Sequence, residues 1–357
     1  MPNGHSWLNW SRRPNRLRHN CWPCNRPPLM PATDHSERLR STMLLVLLAC
    51  LPGVLALLWQ HGWGFLFNLL LCTGTALASE ALLLKLQQRP VLPSLNDGSA
   101  LVSATLLAVA LPAYAPWWLP VIATTSAIGL GKHLYGGVGK NPFNPAMLGY
   151  AVVLLAFAQH MTQWPGAQLL DLGTSLQHVF GWSSSEQPDA WAQATLLDGL
   201  RNNRSLTVDE LFRSHPGFGH WGGKESEWVN LAFLLGGLLL LQRKVFSWHA
   251  PVGLLASLFV LSLLFWNGSG SDSNGSPLLH LFSGSTMLAA FFIATEPVSG
   301  PKSPQARLVF GIGIGLLIYL IRTWGSYPDG TAFAVLLMNL CVPALERWAE
   351  RRQGLPS

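Results

Sequence analysis

The sequence predicts an all-α integral membrane protein of about ten transmembrane helices, in two inverted five-helix halves separated by one long external loop. Three observations lead there. Only 11% of the 357 residues are charged and 49% are hydrophobic, whereas a soluble protein carries roughly 25% charged residues. The deficit is also concentrated: 41–79, 98–131 and 141–170 contain no Asp, Glu, Lys or Arg. Each run can hold one or two spans of about 20 residues, and a soluble fold would need charged outer faces on those helices. Finally, 18 of the 23 Lys and Arg fall in segments that alternate to one side, the bias that orients membrane proteins.

Residues 1–40 read as a basic, Pro-rich cytoplasmic tail. Its arginines lie too far from the apolar run at Met43 for a signal peptide, and Met30 is an alternative start. The first membrane half, 41–160, holds predicted spans at 42–60, 63–85, 98–113, 117–132 and 145–160. The second half, 228–346, holds 228–243, 250–266, 278–295, 307–323 and 330–346, and a cytoplasmic tail, 347–357, follows. Alternation places Lys85, Arg89, Lys132, Lys140, Arg243, Lys244, Lys302 and Arg307 inside. Arg322 alone falls in the short outer loops, snorkelling from a helix end.

Residues 161–227 form a periplasmic loop, long enough to cross whatever its own charge. Within it, Thr207-Val-Asp-Glu210 has the capping-box pattern that opens a helix. The segments Asn141-Pro-Phe-Asn-Pro-Ala and Tyr327-Pro-Asp-Gly-Thr-Ala precede the fifth and tenth spans. Such Gly/Pro-interrupted segments at matching positions mark binding sites in inverted-repeat membrane proteins.

The net charge of +6 does not imply nucleic acid, because the basic residues follow topology and the partner is lipid. Cys50, Cys72 and Cys341 sit in apolar spans as small hydrophobes. Cys21-Trp-Pro-Cys24 has ligand-like spacing, but His19 and His35 are poor further ligands. No metal site is expected, and no catalytic side chain. The stretch Gly136-Gly-Val-Gly-Lys-Asn-Pro-Phe-Asn-Pro-Ala146 is the least lipid-like part of its region. Its glycines allow positive φ, and Asn141 and Asn144 bring amides to membrane depth. The sequence leaves two readings open, a tight turn whose asparagines cap the next helix and a ligand site. A P-loop is excluded, since Lys140 is followed by Asn141. Glu80, Glu296 and Asp329 read preferentially as helix-end charges reaching interfacial water, Glu80 with Lys85, and otherwise as parts of an ion or proton path.

The stretch Gly131-Lys-His-Leu-Tyr-Gly-Gly-Val-Gly-Lys-Asn-Pro-Phe-Asn-Pro-Ala-Met-Leu-Gly-Tyr150 resembles the signature of the D subunit of the Rnf electron-transport complex. That subunit is itself similar to the B subunit of the sodium-pumping NADH:quinone reductase. Arg89-Pro-Val-Leu-Pro93, Asp97-Gly-Ser-Ala100 and Glu227-Trp-Val-Asn-Leu-Ala-Phe-Leu-Leu-Gly-Gly237 resemble the same family. So do Ala294-Thr-Glu-Pro-Val-Ser299 and Ile321-Arg-Thr-Trp-Gly-Ser-Tyr-Pro-Asp-Gly330. The likeness runs in order from Arg40 to Trp348.

The resemblance implies a flavin mononucleotide (FMN) joined through its phosphate to a threonine hydroxyl. The family's attachment pattern falls on Asp189-Ala-Trp-Ala-Gln-Ala-Thr195, where Asp189, Ala194 and Thr195 match. Ala192 stands in place of Ser or Thr, and Gln193 in place of Gly. It further implies a non-covalent riboflavin near the inner face, for which Asn141 and Asn144 are the candidates, and a flavin transferase for maturation. The expected function is that of a flavoprotein subunit in an ion-translocating oxidoreductase of the bacterial inner membrane, passing electrons across the bilayer. It needs partner subunits with iron–sulfur clusters and further flavins, because this chain has no Cys cluster to hold one. The alternatives are a solute channel or carrier with inverted repeats, and a flavin-less structural subunit of the same complex.

Overall fold

The computed structural model describes residues 32–137, 139–166, 169–181, 192–193, 195–203, 205–214, 217–224, 226–268, 270, 273–325, 327 and 329–352. Cys21, Cys24, Asp189 and Ala194 lie outside these residues. The regular structure among the described residues is helical apart from a two-residue ladder and an isolated bridge between Phe218 and Gly223.

Helix α1 spans Ala32–Leu86 and is broken at Gly62 (φ 54°, ψ −129°), between the first two predicted spans. A side chain would be strained there. The carbonyl of His61, freed by the break, accepts from the Tyr114 hydroxyl at 3.0 Å. Next come α2 (Val91–Leu95), α3 (Ser99–Ala110) and α4 (Trp118–Ser126), which runs on as a π-helix over Ala127–His133. Helix α5 (Pro145–Ala156) and the short α6 (Ala158–Met161) close the first half.

The connecting segment contains strand β1 (Trp164–Pro165), helix α7 (Leu172–Phe180), strand β2 (Ala192–Gln193) and helices α8 (Leu196–Asn202) and α9 (Val208–Ser214). The second half consists of α10 (Ser226–Gln242), α11 (His249–Leu264), the broken pair α12 (Pro277–Phe282) and α13 (Thr286–Leu288), α14 (Pro304–Trp324) and α15 (Thr331–Arg352). A π-helix, Ala289–Ile293, continues α13. Among the described residues, three helical segments are long and apolar enough to cross a membrane: Glu37–Leu86, Pro304–Trp324 and Thr331–Arg352. Four shorter apolar helices are α3, α5, α10 and α11.

Helix faces here lack the polar/apolar division of a soluble bundle. Leu44, Leu48, Leu51 and Leu55 of α1 and Leu263 and Leu264 of α11 are exposed large hydrophobics, while the core mixes alanines with leucines and aromatics. Without a hydrophobic drive between such helices, small residues that allow backbones to approach do the packing. At Gly253 an added Cβ would lie 2.6 Å from the Leu308 carbonyl oxygen, and at Gly311 it would fall on the Ala250 backbone, so α11 and α14 meet through their glycines. Gly311→Leu should therefore destabilise the protein by at least about 1–3 kcal/mol, read as a lowered unfolding temperature in detergent.

Candidate functional site

Two cavities lie among the helices. The larger, ≈ 230 Å³, is lined by residues of α1, α5, α10, the α12–α13 break and the segment before α15, and by Thr195. The smaller, ≈ 110 Å³, includes Asn141 and Asn144 among its lining residues, together with Lys132 and Glu296.

Thr195 is held at the larger cavity from both sides. Before it, β2 pairs antiparallel with β1, Gln193 opposite Trp164 and Ala192 opposite Pro165, and Trp164 and Pro165 also line the cavity. After it, Leu196 and Leu197 bury into a cluster with Leu211, Phe218 and Leu279. Thr195 is the N-cap of α8, its hydroxyl accepting from the Asp198 N–H (3.2 Å) and donating to Asp198 Oδ2 (2.8 Å). Arg201, one turn on, donates to the Gly325 carbonyl at the end of α14 (3.2 Å), tying the segment to the second half. The cavity lining is largely apolar (Leu57, Val109, Met147, Phe233), and Lys224 supplies a cation. That combination fits a planar aromatic ring tethered through a phosphoester on Thr195.

Around Asn141 and Asn144 both sequence readings have structural counterparts. Asn144 caps α5, its Oδ1 accepting from the Met147 N–H at 3.1 Å. Asn141 donates to the Phe143 carbonyl (3.0 Å) and to Glu296 Oε1 (3.2 Å). Gly136 and Gly137 have φ near 100° (101° and 99°), as the glycine run predicts. Ser299 also donates to Glu296. Lys132 is committed to Glu80, so the described lining residues leave no free cation for a phosphate and fit a neutral, phosphate-free ring system.

The two cavities lie back to back. Phe233 lines the larger and Phe292 the smaller, and their rings meet edge-on with centroids 5.6 Å apart. On α5, Met147 faces the larger cavity and Ala146 the smaller.

Several charges differ from the sequence expectation. Glu80 does not pair with Lys85. It is buried at 1% exposure and binds Lys132 Nζ at 2.5 Å, with His133 Nε2 at 3.8 Å. Lys132, expected as a loop charge, is likewise buried and donates to Ser99 Oγ (2.8 Å) at the start of α3. Arg322 does not snorkel. Its side chain is 1% exposed and donates to the carbonyls of His280 (2.8 Å) and Ser283 (3.2 Å), to Thr286 Oγ1 (3.0 Å) and to Asp329 Oδ1 (3.2 Å). The physical reason is the same in both places. A helix that breaks inside a protein leaves polar groups that a cation can satisfy at less cost than remaining bare.

The two breaks share a grammar. Gly98 (φ 78°) precedes Ser99, whose N–H (2.7 Å) and hydroxyl (2.6 Å) donate to Asp97 Oδ1. Gly284 (φ 59°) precedes Ser285, whose N–H (3.0 Å) and hydroxyl (2.6 Å) donate to Asp329 Oδ2. Asn230, within one of the motifs quoted above, secures the second break: its amide donates to Phe282 (3.2 Å) and Gly284 (2.9 Å) and accepts from the Met287 N–H (3.0 Å).

Comparison with known proteins decides the family. The NQR2, RnfD, RnfE family model matches residues 29–354. The chain belongs to the NQR2, RnfD, RnfE family. Among curated relatives, a Pseudomonas aeruginosa (strain UCBPP-PA14) protein named as the D subunit of an ion-translocating oxidoreductase complex is 60% identical over 326 residues, covering 91% of this chain and 94% of its own. Proteins of the same name are 59% identical over 322 residues in Ectopseudomonas mendocina (90% and 93% coverage) and 46% identical over 332 residues in Cellvibrio japonicus (90% and 92%).

Asp198, Lys224, Asn230, Ser99 and Thr286 were not singled out as site residues from sequence. Ser99 and Asn230 lie within motifs quoted from the sequence without a role assigned to them, and Lys132 stands out as a charge directly after a 34-residue charge-free stretch (98–131). Lys132→Met in this family member should cost about 3–5 kcal/mol, because Glu80 is left as an uncompensated buried charge. The double change Glu80→Gln with Lys132→Met should recover most of that loss in thermal unfolding of the purified protein.

Proposed function

We propose that this chain is the flavin-carrying membrane subunit of a redox-driven, ion-translocating oxidoreductase complex of the bacterial inner membrane. In this reading it crosses the bilayer ten times as two inverted five-helix repeats, with both termini in the cytoplasm and residues 161–227 in the periplasm. FMN is esterified to Thr195 at the larger cavity, and riboflavin sits between Asn141, Asn144 and Glu296 at the smaller. The observation that carries the reading is that Thr195 lines a cavity of ≈ 230 Å³, and that Phe233 of this cavity's lining packs edge-on against Phe292 of the Asn141–Asn144 cavity's lining.

A flavin supplies reversible one- and two-electron chemistry, and the protein supplies position, environment and exclusion of water. Thr195 fixes the outer ring by a covalent tether, and the apolar lining keeps water from it. Lys224 offsets the phosphoester charge at the rim. At the smaller cavity Asn141, Asn144 and Glu296 offer hydrogen-bonding groups to a ring edge. With Lys132 spent on Glu80, the described lining there selects against a phosphorylated flavin. A core about 30 Å thick is too wide for one electron step, and two carriers back to back divide it. The repeat reading draws support from the paired breaks at Gly98 and Gly284, and from the matching positions of Asn144 before α5 and Asp329 before α15. Electrons must enter and leave through partner subunits bearing iron–sulfur and flavin centres, and a flavin transferase must mature Thr195.

The test is direct. The purified protein, denatured on a gel, should show flavin fluorescence that Thr195→Ala abolishes and Thr195→Ser largely retains. Fluorescence surviving Thr195→Ala would remove the site assignment. No fluorescent band in the wild type would favour a channel, a carrier or a flavin-less subunit. Replacing Asn141 and Asn144 together by Leu should lower acid-extractable, non-covalent flavin at least tenfold and leave the covalent band unchanged.

A further inference from the structure

We infer that Asp198 is the general base that activates Thr195 for its own modification. The inference rests on the flavin-attachment reading above and assigns the catalytic group to this chain. Thr195 Oγ1 donates to Asp198 Oδ2 at 2.8 Å, within the reach required of a base acting on the proton it removes. A threonine hydroxyl is a weak nucleophile unless an adjacent group takes that proton.

The arrangement differs from an ordinary helix cap, and the same loop provides the comparison. Thr207 and Glu210 form a full capping box, in which the Glu210 carboxylate accepts both the Thr207 backbone N–H (2.8 Å) and its hydroxyl (2.9 Å). Asp198 is one methylene shorter, and no described hydrogen bond links it to the Thr195 backbone N–H. Its Oδ2 takes the hydroxyl, while Oδ1 faces Arg201 Nη2 at 4.0 Å. Arg201 is itself fixed to the Gly325 carbonyl. The carboxylate is thus oriented from behind by a cation, as a base is oriented by a third group. Thr195 lines a cavity, whereas Thr207 is not among the residues lining either cavity described above.

The step balances without electron transfer. Thr195 Oγ attacks the flavin-side phosphorus of a flavin adenine dinucleotide presented by the transferase. The Oγ–P bond forms, the bond from that phosphorus to the bridging pyrophosphate oxygen breaks, and AMP departs with the bonding pair. The hydroxyl proton passes to Asp198 Oδ2. Arg201 remains beside the carboxylate when a phosphodiester has replaced the proton it faced.

To test this, the full-length chain is made in a host without flavin transferase, purified in detergent and incubated with a purified transferase and flavin adenine dinucleotide. The initial rate of covalent fluorescence is then followed on denaturing gels. Asp198→Asn keeps the shape and loses the base, and it should slow labelling about 100-fold, the lower end of general-base contributions. Asp198→Glu should restore part of the rate, and Glu210→Gln, which perturbs only the structural cap, should leave it unchanged. Labelling of Asp198→Asn at the wild-type rate overturns the inference and leaves the attachment reading intact. Equal slowing by Asp198→Asn and Glu210→Gln also overturns it, by assigning the effect to loop folding. A wild type that takes no label overturns both.

Discussion

Two buried cations hold the places where helices break. Lys132 bridges Glu80 to Ser99 at the start of α3, and Arg322 bridges the loop after α12, Thr286 at the start of α13 and Asp329 before α15. Each break exposes hydroxyls, amides and carbonyls in apolar surroundings, where leaving them bare is costly. The cations lower that cost and fix where the two following helices begin. Both cavities border these points: Ser99 and Lys132 line the smaller, and Ser285 and Asp329 line the larger. The two cavities therefore depend on ion pairs at their edges.

Chemistry divides the cavities more sharply than size does. The larger combines the Thr195 hydroxyl, a largely apolar interior and Lys224. The smaller combines asparagine amides with Glu296, and its lysine is spent on Glu80. On the proposed reading this asymmetry explains why one flavin would be phosphorylated and tethered and the other neither. On that reading a single aromatic contact separates the two carriers, so no long-range conformational change is required for them to communicate.

Much of the helical layout was legible from where charges are missing. Gly62 and the capping box at Thr207 fell where hydrophobic runs and short motifs placed them, because both are local in sequence. The partners of Glu80, Lys132 and Arg322 were not legible. A charge near a helix end looks the same in sequence whether it reaches water or turns inward to a helix break 33 or 36 residues away. Thr195 was found through a motif, whereas Asp198 escaped notice because Thr followed three residues later by Asp is common at helix starts. Its significance appears only once the hydroxyl is seen beside a cavity. Asn141 shows the same limit, since its bond to Glu296 spans 155 positions.

The β1–β2 ladder and the Arg201–Gly325 contact have a bearing on biogenesis. Thr195 takes its position from Trp164 and Pro165 on one side and, through Arg201, from a carbonyl 124 residues further along the chain. The geometry around Thr195 is therefore incomplete on a nascent loop and arises only after α14 has been made and docked. If maturation reads that geometry, cofactor loading becomes a checkpoint for assembly. A chain bearing the tether at Thr195 would be one whose two halves had already found each other.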